Sequence, residues 1–355
     1  MTTFFLKLNK YDRILCILAA IYPIVIFSFF GASKAQYYIG NIGIRILIYV
    51  IMAWGLSIVV GSLALLSLNS VIAYAVGAYS YVILGRFYGI SPILLVPLSA
   101  IISGIIGIVL ALPSLRFRGD YLAILTLIMS AVFHDILIKW KAVTNGKVGL
   151  YVSDSILFLG VDLKSLVGFF RYNPSGVFYK IFMYYVLLLV CFFSVWIILW
   201  LRRKSISNAW RTIRDNQKAF FSFNSAIIFA KLSAFAVSSM FAGIAGAFLV
   251  ASGSTRIVSP DMFKMSESIT VLSLVILGGM TSLSKIARTV IIIVGGIEIF
   301  CGSKLYYLNS FLKFDCSFSS RSTALMIASL FLVILLKSHS LLKLRNPSPF
   351  TDLRK

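Results

Sequence analysis

RRKSISNAWRTIRDNQKAFFSFNSAIIFAK, residues 202–231, is a basic and partly amphipathic stretch caught between two long apolar runs. With about 100° of turn per residue, a helix over 208–221 gathers Trp210, Ile213, Gln217, Phe220 and Phe221 within about a 100° sector and sets Arg211, Asp215 and Lys218 to one side. Such a helix is too polar to cross a bilayer, so it either lies on anionic headgroups or docks on a partner protein. Its flanks decide the fold, because runs of about 20 apolar residues are what roughly 30 Å of hydrocarbon requires.

Working outward, further runs of that kind occupy 14–30, 42–60, 71–88, 93–113, 120–140, 180–201, 230–252, 266–283, 287–307 and 322–338. The expected fold is therefore an all-α polytopic membrane protein with about ten transmembrane helices, some broken or re-entrant. One transmembrane domain covers 1–355, interrupted by the 202–231 segment and by a long loop at 141–179. The run 266–283 is the weakest span, since it holds Glu267 and a double glycine. Ten spans put both termini on one side. A cytoplasmic N-terminus places Lys7, Lys10, Arg13, Arg116, Arg118, Arg202, Arg203, Lys204, Lys285, Arg288, Lys343 and Arg345 inside, as the positive-inside rule asks. The loop 141–179 then lies outside the cell membrane. Gly31-Ala32-Ser33 resembles a cleavage site, but Ile14–Phe30 is long for a signal sequence and contains Pro23, so a retained first helix is expected.

Composition agrees. The chain has 355 residues, of which 60% are hydrophobic and 12% charged, more apolar surface than one soluble core needs. The net charge of +22 would suit nucleic acid, yet no basic stripe carries interleaved aromatics or a known binding module, so no nucleic-acid partner is expected. Lys and Arg kept at the cytoplasmic membrane edges, with membrane lipid as neighbour, explain the charge better. Cys16, Cys191, Cys301 and Cys316 are far apart and read as small apolar residues.

Catalytic chemistry finds no foothold. His134 and Asp135 are adjacent, hence about 100° apart on a helix, and cannot form a dyad by themselves. Glu298 sits deep in its run and should face the bundle interior or a partner subunit. No metal or cofactor cluster, nucleophile with a nearby base, or phosphate loop is present; Gly146-Lys147 lacks the upstream glycine of a nucleotide loop. If transport is driven by ATP, another polypeptide hydrolyses it. Gly55, Gly61, Gly77, Gly104, Gly107, Gly243, Gly246, Gly278 and Gly279 lie in or beside apolar runs, where small residues allow close helix approach and paired glycines allow interrupted helices.

Several segments, in order, resemble the LivM-type permease subunits of branched-chain amino acid ABC transporters. LPSLRFRGDYLAILTL (Leu112–Leu127) is similar to that family's motif almost residue for residue, followed by Trp140, Thr144, Gly146, Gly149 and Leu150. Upstream, Ser67, Leu68, Gly77, Ala78 and Tyr79 are in register. Downstream, AWRTIRDN (Ala209–Asn216), Lys231, Ala234, Phe235, AGIAGA (Ala242–Ala247), SPDMF (Ser259–Phe263) and VILGGMTS (Val275–Ser282) complete the series. The resemblance covers roughly residues 45 to 300.

The resemblance implies a subunit of an importer in the bacterial inner membrane, without enzyme activity of its own. Its partners would be a homologous permease subunit, two ATP-binding subunits and an extracytoplasmic solute-binding protein. The substrate would be a branched-chain or similar hydrophobic amino acid; urea, short amides and an ion-coupled secondary transporter are the alternatives. Ala209, Arg211, Ile213, Arg214, Asn216 and Gln217 would couple to the ATPase, while Ser67, Gly77, Gly119, Tyr121, Thr126, Gly278 and Gly279 would line the path or act as hinges. Departures from the family pattern bear on substrate identity: Ala64-Leu65 and Asn69-Ser70 stand where the family has Gly-Gln and Gly-His. Asn145 replaces a glycine, Gln217 a glutamate and Asn224 a glycine.

Overall fold

Backbone amides at membrane depth have no water to bond, so apolar runs resolve into helices whose hydrogen bonds are internal. In a computed structural model, residues 18–28, 36–117, 120–152, 177–203, 205–215, 225–253, 255–302 and 325–333 are described. The helices are α1 (Leu18–Ser28), α2 (Tyr38–Ser62), α3 (Ser70–Tyr88), α4 (Pro92–Ala111), α5 (Asp120–Lys139) and α6 (Val177–Arg203). They continue as α7 (Ser205–Asp215), α8 (Ser225–Ala251), α9 (Met265–Gly278), α10 (Leu283–Gly302) and α11 (325–333). Six of them, α2 to α6 and α8, are long and apolar enough to span a bilayer. The chain is thus a polytopic all-α membrane protein. The expected runs 14–30, 287–307 and 322–338, and most of the loop 141–179, extend outside the described residues.

The run 266–283 is a half-length helix followed by a turn. α9 has 14 residues, about 21 Å of rise, which is short of the hydrocarbon thickness. Its start is set by the 3-10 turn Pro260–Phe263 and extended Lys264, and its end by Gly279 at φ +84, a left-handed conformation that suits glycine.

α8 runs through the middle of the bundle, against α2, α3 and α4. Close packing there depends on glycine: a Cβ on Gly77 would come within 2.3 Å of the Gly243 carbonyl oxygen, and one on Gly246 within 2.1 Å of the Tyr74 carbonyl oxygen. Backbones at such range gain the dispersion contacts that hold membrane helices together. Gly77, expected in the path or at a hinge, is therefore a packing position between α3 and α8.

A non-helical stretch, residues 63–69, separates α2 from α3, and the last turn of α2, Ile58–Ser62, is π-helical. Ala64 in this stretch has φ +54. An L-residue in that left-handed conformation bears a steric cost of roughly 1–2 kcal/mol. Ala64→Gly is expected to stabilise the fold by about 1 kcal/mol, read as a higher unfolding temperature in detergent. An unchanged or lower midpoint would contradict the strain.

At the opposite end of the bundle, α5 closes on Thr144, whose hydroxyl donates to the Leu137 carbonyl at 2.6 Å and accepts from the Gly146 amide at 3.2 Å. Asn145 holds φ +60 and donates from its side chain to the Gly149 carbonyl at 3.1 Å. Asparagine tolerates this conformation because its short amide bonds locally. The turn delivers β1 (Leu150–Tyr151) to an antiparallel pairing with β2 (Ile257–Val258), Leu150 opposite Val258. This is called the strand end below, and the other the α7 end.

Candidate coupling site and translocation path

α7 is amphipathic, and its apolar side is turned inward. Trp210 and Ile213 are each 1% exposed, and the Trp210 indole donates to the Ala230 carbonyl on α8 at 2.9 Å. Ala209 also packs against the core. The sector formed by Trp210 and Ile213 is thus a seat on the protein's own bundle, and any partner must meet the other side of α7. A surface helix gripped in this way moves as one body with the spans beneath it.

One contact carries that connection further. The Arg214 guanidinium donates to the Gly61 carbonyl at 2.8 Å, in the π-helical last turn of α2. Gly61 in turn lies against the turn between α9 and α10: a Cβ there would fall 2.2 Å from the Met280 carbonyl oxygen. The same turn contains Gly279, and Gly278 is pressed against the backbone of Ile286 on α10, 2.6 Å from a would-be Cβ to its Cα. The Trp54 indole bonds the Leu283 carbonyl at 2.9 Å, fixing α2 to the start of α10. Arg214, Gly278 and Gly279, far apart in sequence, therefore belong to one assembly through Gly61.

Along the chain from Gly61, residue 68 is clasped from two helices. The Leu68 amide donates to the Thr126 hydroxyl on α5 at 3.1 Å, and the Leu68 carbonyl accepts from Ser130 on α5 at 2.8 Å and Ser268 on α9 at 2.5 Å. Unwound backbone at this depth survives only where such groups replace the missing helical bonds. Ser67 is buried beside the clasp, its hydroxyl 3.5 Å from the Asn69 amide. Thr126→Val keeps the shape but leaves the Leu68 amide without its acceptor, a cost of about 1–3 kcal/mol. We expect a lower unfolding temperature and reduced uptake, whereas unchanged values in both assays would show that the clasp is dispensable.

Nearer the strand end, a cavity of about 250 Å³ lies between α2, α3, α8 and α9. Its polar wall includes Arg45 and Glu267, and its apolar wall includes Ile44, Ile48 and Leu249. Arg45 pairs with Glu298 of α10, which is 0% exposed, so Glu298 faces the bundle interior. The Tyr49 hydroxyl donates to Glu267. Charges inside spans are expensive and mark functional sites by default.

The remaining candidates are scattered. Tyr121 is 77% exposed on the outside of α5. Gly119, Asn216 and Gln217 lie outside the described residues, and Arg211 is placed by its backbone in α7. His134 is half-buried and Asp135 exposed.

The family model described as "Branched-chain amino acid transport system / permease component" matches residues 38–337, which takes in the Arg214–Gly61 contact, the clasp at Leu68 and the cavity. The chain belongs to this permease family. Two relatives of this permease carry the name high-affinity branched-chain amino acid transport system permease protein LivM. That of Salmonella typhimurium is 33% identical over 270 residues, covering 73% of this chain and 63% of its own, and that of Escherichia coli is 33% identical over 264 residues, covering 71% and 61%. The matched region thus spans somewhat less than two thirds of either relative's length. No solved structure matches significantly.

Sequence reasoning about this permease missed Arg45, Ser130 and Ser268. A lone arginine in the apolar run 42–60 was the available signal for the first, since a guanidinium there needs a buried partner. Ser130 and Ser268 carried none, because a serine that clasps a distant carbonyl looks the same as one bonded within its own helix.

Proposed function

We propose that this chain is the membrane-spanning subunit of an ATP-driven importer for branched-chain or similar hydrophobic amino acids. It works with a homologous permease subunit, two ATP-binding subunits and an extracytoplasmic solute-binding protein, in the bacterial inner membrane. The supporting observation is the Arg214 contact with Gly61, which joins a polar surface helix to the turn at Gly279 and thus to the half-length α9. In this reading the termini and α7 are cytoplasmic and the strand end faces outward. The ATPase engages the outward side of α7 at Arg211 and Arg214 and the sequence just after the helix, Asn216 and Gln217, while Ala209 and Ile213 fasten the helix to the bundle. Closure of the nucleotide-bound dimer pushes α7, the end of α2 follows, and the α9–α10 turn shifts with it. Alternating access results, with no covalent step in this chain. Thr126, Ser67 and Gly278–Gly279 hold the unwound segment and the turn that move, and Tyr121 and Gly119 flank the entry to α5.

A detergent pull-down of the tagged chain from its native membrane tests the partner claim. An ATP-binding subunit should co-purify and be lost when Arg211→Glu and Arg214→Glu are combined. Failure to recover any ATP-binding subunit with intact protein would remove the importer reading and favour an ion-coupled carrier.

A further inference from the structure

The cavity at the strand end has the chemistry of one particular kind of solute. α2 presents Asn41, Arg45 and Ile48 to it, one helical face at spacings of four and three, with Ile44 beside Arg45. Glu267 enters from the first turn of α9, and Leu249 from α8. A guanidinium, a carboxylate and a patch of branched aliphatic side chains thus share a space of about 250 Å³. This lies just below the range of roughly 300–1,000 Å³ for drug-sized pockets, so it suits one small molecule. The Thr255 hydroxyl, also in the wall, is buried with no hydrogen-bond partner, and a buried polar group in that condition is costly unless something binds it.

We propose that this cavity is a binding site for a single zwitterionic amino acid with an aliphatic side chain. Arg45 receives its carboxylate, Glu267 its ammonium, and Ile44, Ile48 and Leu249 its side chain. Thr255 and Asn41 complete the hydrogen bonds to the polar end. Arg45 keeps Glu298 on its other side, which orients the guanidinium for a planar carboxylate. This assignment rests on the amino-acid reading above and locates where within the chain the solute pauses.

The test is equilibrium binding of radiolabelled leucine to the purified full-length chain in lipid nanodiscs. The competitors are 4-methylpentanoate, which lacks the ammonium, and 3-methylbutylamine, which lacks the carboxylate. Leucine should bind saturably, and each competitor should be weaker by about tenfold or more, since each forfeits a charge-assisted hydrogen bond. Glu267→Gln keeps an acceptor for Tyr49 and should weaken leucine about tenfold while leaving 4-methylpentanoate unchanged. Leu249→Phe should shift preference from leucine to alanine, a readout that survives if Glu267→Gln folds poorly. Absence of saturable leucine binding to the wild type overturns the site. So does binding left unchanged by both substitutions, or an equal loss of leucine and 4-methylpentanoate in Glu267→Gln. A negative binding result beside a positive ATPase pull-down sinks this site alone, while the reverse combination sinks the importer reading and keeps the site.

Discussion

Arg214→Glu is expected to cut leucine uptake by more than about tenfold while the reconstituted ATPase continues to turn over, an uncoupled phenotype. The substitution removes the bond to the Gly61 carbonyl and sets a carboxylate against that oxygen, so the end of α2 is repelled from α7 where it was held. Gly61 can approach the Met280 carbonyl so closely only because it has no side chain, and the bond to Arg214 keeps α7 beside that contact. Arg214→Lys should lose less, because an ammonium still reaches one carbonyl but lacks the planar fork. The measurement is uptake per ATP hydrolysed in proteoliposomes containing the full set of subunits. A ratio equal to wild type in Arg214→Glu would show that the force reaches the spans by another route. Trp210→Ala serves as the contrast: it opens a hole under α7 and should lower thermal stability by about 3–5 kcal/mol.

Glu298→Ala should lower stability by about 3–5 kcal/mol, because it leaves the Arg45 guanidinium in the bundle without the carboxylate it pairs with. Equilibrium unfolding in detergent reads the effect. The double substitution Arg45→Met with Glu298→Leu should recover most of the stability, since a well-packed apolar pair often equals a buried ion pair. Transport should remain impaired in the double variant, which lacks the carboxylate anchor proposed for the solute. Recovery of transport together with stability would mean that the ion pair is only a structural feature.

The membrane class and the presence of an amphipathic helix within 202–231 were legible without coordinates, because a bilayer filters residues by polarity one run at a time, whereas 225–231 belong to the span α8. The same rule gave a doubtful answer at 266–283, where Glu267 and Gly278-Gly279 lower the apolar content, and there the structure holds a half-length helix and a turn. Nothing in the residue types of Ala64 and Asn145 announced their left-handed backbones. Asn145 offers its own amide bond in that conformation and Ala64 has none to offer.

The seat of α7 shows the limit most plainly. Periodicity identified an apolar sector around Trp210 and Ile213, and a sector of that kind fits a partner's groove or the protein's own bundle equally well; burial and the bond to the Ala230 carbonyl decide for the bundle. By itself, then, the sequence determined the membrane class, the family and the amphipathic helix, each of which depends on local composition or on ordered motifs. Tertiary structure alone joined Arg214 to Gly61 and Met280, Leu68 to Thr126, Ser130 and Ser268, and Arg45 to Glu298. Each of these is a meeting of residues far apart along the chain, and the polarity of a side chain says that a partner is needed without saying which helix brings it.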